Sequence, residues 1–140
     1  MKRLQTEAKL DNLNEVLAFA DEILEEAGCS MKDQTAIDIA LEEMFVNIVS
    51  YAYTDSGVPE SEQTAEVIMD VSGDPASVSI TLIDGGIPFD PLAKEDPDTT
   101  LSAEERQIGG LGIYMVKQTM NRVEYRREDN KNIFTMEKTI

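Results

Sequence analysis

Helical spacing governs the first third of the chain. Leu13, Val16, Leu17, Ala20, Ile23 and Leu24 recur at intervals of three and four until Gly28 supplies a stop, which predicts a first helix after a short extended start around Leu4 to Leu10. Ser30 is placed to cap a second helix, with Asp33 at its third position as an acidic variant of the capping box. That helix is expected to run to about Tyr53. Ile37, Leu41, Met44, Ile48 and Ala52 form its core stripe, and Phe45, Val46 and Val49 carry apolarity almost all the way round, the pattern of a buried helix. Thr54 to Pro59 is turn-rich and ends it.

The period then changes from about 3.6 to 2. Ala65, Val67, Met69 and Val71 alternate with Glu66, Ile68, Asp70 and Ser72, and after Gly73-Asp74-Pro75 the positions Val78, Ile80 and Leu82 alternate with Ser77, Ser79 and Thr81. Two antiparallel strands are expected. Asp84 shares the parity of the second apolar set, so its carboxylate is expected on the covered face. Leu92 to Gln107 has no period and reads as a mobile charged loop. A helix from about Leu111 to Asn121 follows, then a hairpin: Arg122 to Glu128, a turn over Asp129-Asn130-Lys131-Asn132, and Ile133 to Lys138. The predicted fold class is α+β: a two-layer sandwich with helices on one face of a mostly antiparallel sheet, a single domain over residues 1–140.

Charge excludes several functions. With 28 acidic residues against 12 basic ones, the net charge of -16 repels a phosphate backbone, so neither direct nucleic-acid binding nor an anionic membrane surface is expected. An anion could still bind through local donors such as Lys94, Arg106, Lys117, backbone amides or a divalent cation. Cys29 is alone and the chain has no His, which leaves no internal disulfide and no zinc or haem ligand set. The start, MKRLQTEAKL, lacks a signal-peptide core, and no apolar run approaches a membrane span, so the chain reads as cytoplasmic.

Three segments are oddly furnished. In ALEEMFVNIVSYAY, Glu43 and Asn47 lie four apart on one helix face, where burial without a partner costs several kcal/mol. Their oxygens suit magnesium, while an ordinary rim ion pair and a loop contact explain them equally well. In LIDGGIPFDP, Asp84 could accept from an exocyclic amine and Gly86 could let a ring approach the backbone, although Asp-Gly after a strand is commonly just a turn. In IGGLGIYMV, Gly109, Gly110 and Gly112 open a helix whose free amides suit phosphate, and simple hinge glycines account for the same letters.

In this order the three segments resemble the N, G1 and G2 boxes of the histidine-kinase-like ATPase superfamily, GHKL. More narrowly, nearly the whole chain resembles the bacterial anti-sigma factor serine kinases. The resemblance implies the Bergerat fold, ATP and Mg²⁺ as cofactors, and transfer of the γ-phosphate to a serine of an anti-sigma-factor antagonist. It implies Glu43 as general base, Asn47 as the Mg²⁺ ligand, and Asp84 as the adenine-amino acceptor, with Gly86 beneath the ring and Thr135 supporting the contact. Gly110, Leu111 and Gly112 would cradle phosphates and Arg106 would neutralise charge at the lid end. It further implies a sigma factor or other response regulator as second partner, and a homodimer that no pattern in the residues reveals. Tyr51 stands where many relatives carry a His, and the absence of His removes any acceptor for histidine autophosphorylation. Two other readings stay open: a nucleotide-gated partner-switching module without phosphoryl transfer, and an ATP hydrolase with no protein substrate.

Overall fold

The computed structural model describes residues 1–93 and 110–140. In chain order the main elements are β1 (Lys2–Glu7), α1 (Leu13–Glu26), α2 (Met31–Asn47), β2 (Thr64–Ser72), β3 (Ser77–Asp84), α3 (Gly110–Thr119), β4 (Arg122–Glu128) and β5 (Lys131–Thr139). The strands form one sheet in the order β1-β2-β3-β5-β4, with every pairing antiparallel. The expected α+β architecture is present.

The packing follows the two periods. Val67, Met69, Val78, Ile80, Leu82, Phe134 and Met136 are buried on one sheet face, where they share a core with Val16, Ala20 and Leu24 of α1, Ile37, Leu41 and Phe45 of α2, and Ile113 and Val116 of α3. Each such side chain contributes about 1.5–3 kcal/mol relative to exposure. The opposite face is hydroxyl-rich and charged, with Ser79, Thr81, Thr135 and Glu137 in neighbouring rows. Ser30 caps α2 as expected, its hydroxyl accepting from the Asp33 N–H at 3.2 Å. Gly28 ends the preceding connection with φ of +72°.

Three expectations change. The helical period continues through Tyr53, but regular α-helix stops at Asn47 and a π-helical turn covers Ile48–Ala52. Nor is the helix enclosed all round: Val46 and Val49 are half-buried and Ile39 is 41% exposed. The final turn is tighter than expected. Asp129 and Asn130 alone make it, both with positive φ (53° and 62°), as a two-residue hairpin turn requires. β5 therefore begins at Lys131, and Asn132 belongs to the sheet. No helix among the described residues is long and apolar enough to cross a membrane.

Candidate functional site

The π-helical turn and the end of β3 meet at one glycine. A Cβ on Gly86 would overlap the Ala52 carbonyl, so only glycine lets the two backbones approach this closely. The neighbouring Ile87 N–H donates to that carbonyl oxygen at 2.7 Å. Tyr53, the next residue along, is buried, and its hydroxyl accepts from the N–H groups of Gly85 (2.9 Å) and Thr64 (3.1 Å) while donating to the Thr64 carbonyl. One phenol thus joins the end of the π-turn to β2 and β3.

Asp84 ends β3 on the helix-facing side, 6% exposed, as its parity predicted. Its Oδ1 accepts from the Gly86 N–H at 2.9 Å and from Asn132 Nδ2 at 2.8 Å. Burial pushes its carboxyl above the usual range, and those two bonds together with the Arg127 charge act against the rise. Asn132 is itself 4% exposed and lies directly across the β3–β5 pairing from Asp84.

Asn132, absent from the expected site, replaces Thr135. Thr135 lies on the other sheet face, its hydroxyl 3.2 Å from that of Thr81, because side chains along β5 alternate and its neighbours Phe134 and Met136 take the core side. Support for Asp84 comes from position 132 instead. The signal was in the parity of Asn132 with Phe134 and Met136, obscured by the habit of Asn in turns.

Asp84 and Asn132 line a cleft whose other lining is mostly apolar, including Met44, Ile48, Leu82, Phe89 and Phe134. Its enclosed interior is about 30 Å³, and the space is about 360 Å³ with the mouth included. An apolar lining with a buried carboxylate has the chemistry of a subsite for a heteroaromatic ring that carries a donor. Tyr51 stacks on Phe89 with ring centroids 5.7 Å apart, so the Tyr that departs from the family pattern braces a cleft wall.

Asn47 lines the same cleft. Its Nδ2 donates to the Glu43 carbonyl at 2.9 Å, one helical turn back, which leaves its amide oxygen available as an acceptor. Asn47 and Glu43 are half-buried and not sunk in hydrocarbon, because this side of α2 borders the cleft and α3. The Glu43 carboxylate sits against Gly112 in the first turn of α3, so close that a Cβ there would overlap it. The helix amino terminus is a favourable place for that negative charge. The structure therefore brings together Glu43, Asn47, Asp84, Gly86, Gly112 and the start of α3 at Gly110. Arg106, Lys94, the charged loop and the Leu111 side chain lie outside the described residues.

The donor set suits a nucleotide with a hard cation. Among the described residues no three His, Cys, Asp or Glu side chains gather for a metal, so magnesium here would depend on Asn47 and on phosphate oxygens, a common arrangement for that ion.

Residues 6–138 match the family described as the histidine kinase-like ATPase domain. The chain is similar to the serine/threonine-protein kinase BtrW of Bordetella bronchiseptica, with 28% identity over 100 residues, 71% of this chain and 66% of the relative. Its fold is similar to that of a chain in the SiaB-SiaC complex from Pseudomonas aeruginosa, with a TM-score of 0.65 and 15% identity over 100% of this chain and 90% of that one. It is also similar to a chain containing the RsbU and RsbW domains of Rv1364c from Mycobacterium tuberculosis, with a TM-score of 0.63 and 18% identity. That likeness covers 99% of this chain and 32% of the other.

Proposed function

The chain belongs to the histidine kinase-like ATPase domain family, and on that premise we propose that it is an ATP- and Mg²⁺-dependent protein serine kinase of the anti-sigma regulatory type. Its substrate is a serine of an anti-sigma-factor antagonist. Released from that antagonist, it holds a sigma factor or another response regulator, and it acts in the cytoplasm. The name of the Bordetella relative, a serine/threonine-protein kinase, supports the enzyme class.

The observation that carries this reading is a cleft that Asn47 lines, with Glu43 one turn back on α2 lying against the start of α3. A buried carboxylate and a Cβ-free backbone at Gly86 suit an aminopurine. When bound, the magnesium nucleotide supplies the phosphoryl group and neutralises part of its charge. Asn47 would hold the cation through its amide oxygen, and the amides at the start of α3 would bind phosphate oxygens. Glu43 takes the proton from the substrate hydroxyl as its oxygen attacks phosphorus, and the bond to the departing diphosphate breaks. The Asp84 side orients the nucleotide and Glu43 performs chemistry.

The test is transfer of label from γ-labelled ATP to a candidate antagonist domain. Glu43→Ala should lower transfer by about 10²–10⁴-fold and leave ADP affinity nearly unchanged. Transfer at the wild-type rate would remove Glu43 from the role of base. Tight ATP binding with no transfer to any antagonist would point instead to the nucleotide-gated switch.

A further inference from the structure

Asn132 has an amide orientation fixed by its partners. Its Oδ1 accepts from the Phe89 N–H (3.2 Å), Arg127 Nη1 (3.2 Å) and the Tyr125 hydroxyl (2.6 Å), and the first two can only donate. Its Nδ2 donates to Asp84 Oδ1 (2.8 Å) and to the Ile87 carbonyl (2.7 Å), which as carboxylate and carbonyl can only accept. Turning the amide over would set donor against donor and acceptor against acceptor at four places. The chemistry permits one orientation.

That orientation commits the surrounding donors. Both Nδ2 hydrogens of Asn132 are used, and the Gly86 N–H points at the same Asp84 oxygen. Arg127 Nη1 donates to the Gly86 carbonyl at 2.8 Å as well as to Asn132. The Tyr125 hydrogen is spent on Asn132. Among the described residues of this cluster that line the cleft, what is left uncommitted is Asp84 Oδ2, an acceptor. The remaining N–H groups of Arg127 belong to an exposed side chain off the cleft lining.

We propose that Asn132 is a specificity-setting positioning residue: by engaging Asp84 Oδ1 it presents Oδ2 as the acceptor facing the base, so the cleft selects a 6-amino purine over a 6-oxo purine. The inference rests on the nucleotide reading above. An adenine amino group can donate to that oxygen. In the same pose the 6-oxo group of hypoxanthine or guanine brings a second acceptor to that oxygen and opposes buried lone pairs, and its N1–H reaches the oxygen only if the ring shifts along the cleft.

Calorimetric titration of the full chain with ADP and with inosine diphosphate, both with magnesium, tests this. The wild type should prefer ADP by about tenfold or more, the worth of one hydrogen bond to a charged group. Asn132→Asp keeps the shape but replaces the donor by a second acceptor. At pH 8 it should lose most of the preference, and acidification toward pH 6 should restore ADP binding, because a protonated Asp at 132 again donates to Asp84. A residue serving only to hold the fold would give no such opposite pH response. An unchanged ADP-to-inosine-diphosphate ratio in the variant at pH 8 overturns the inference, as does a wild type that binds both nucleotides equally, a result that needs no variant to fold. A wild type that binds neither overturns the nucleotide reading itself.

Discussion

Gly112→Ala should raise stability while damaging catalysis. Gly112 lies in the first turn of α3, without the positive φ that would strain an alanine. Replacing a helical glycine by alanine is worth about 0.5–1 kcal/mol. The added methyl meets the carboxylate end of Glu43, a flexible side chain that is half-buried and can swing aside. For a domain of this size, 1 kcal/mol corresponds to roughly 3–5 °C, so a thermal melt without nucleotide should rise by about 2–4 °C. The displaced carboxylate no longer reaches a substrate hydroxyl. Single-turnover transfer to an antagonist domain should fall by about 10²-fold or more, the usual worth of a positioned base. ADP affinity, which on the proposed reading rests on Asp84 and on α3 amides that a methyl leaves in place, should change much less. A lower melting temperature would mean that the clash cannot be relieved by a side-chain swing. Undiminished transfer would mean that the resting place of Glu43 beside α3 has no part in the reaction.

Gly86→Ala is expected to do the reverse, because its methyl would meet the Ala52 backbone, which cannot swing: about 1–3 kcal/mol of stability should be lost in a urea titration, and a wild-type midpoint would disprove the close approach. Tyr53→Phe removes a hydroxyl that serves three backbone groups, and should lower the urea midpoint by about 1–3 kcal/mol of stability with little change in slope. Asp38 on α2 is raised to about 7 by burial, and by its hydrogen bond and like charge with Asp21 of α1. The native state thus keeps a proton that the unfolded chain releases near pH 3.9, so this group's stabilising contribution is complete below that value and is lost as pH rises through about 7. Asp38→Asn should therefore melt above the wild type at pH 8, with the gap closing toward pH 4, and a constant gap across that range would refute the shared-proton account.

The elements were legible because their apolar residues keep strict periods: the caps, the helices, β2 and β3, and the inward turn of Asp84 all follow from spacing. The π-turn was not, because Ile48 and Ala52 continue the apolar stripe and nothing in their letters marks an extra residue per turn. Asn132 was hidden by local propensity. Asn, Asp and Lys in a row suggest a longer turn, whereas the sheet claims Lys131 and Asn132 once the paired strands are in register. The misplacement of Thr135 has a related cause: a motif assigns a residue type, but only the alternation around Phe134 decides which face it takes. The role of Tyr53 needed tertiary structure, since its hydroxyl bonds groups 11 and 32 residues away.

The strand order has a consequence for synthesis. β5 lies between β3 and β4, so the strand that leaves the ribosome after the other four fills an interior slot of the sheet. Until residues 131–139 emerge, a nascent chain carries β3 with one flank open and Asp84 with no amide opposite it. The cleft around Asp84 is therefore completed only once β5 has emerged. Removing β5 would take Asn132 and Phe134 from the cleft and Met136 from the core in the same stroke.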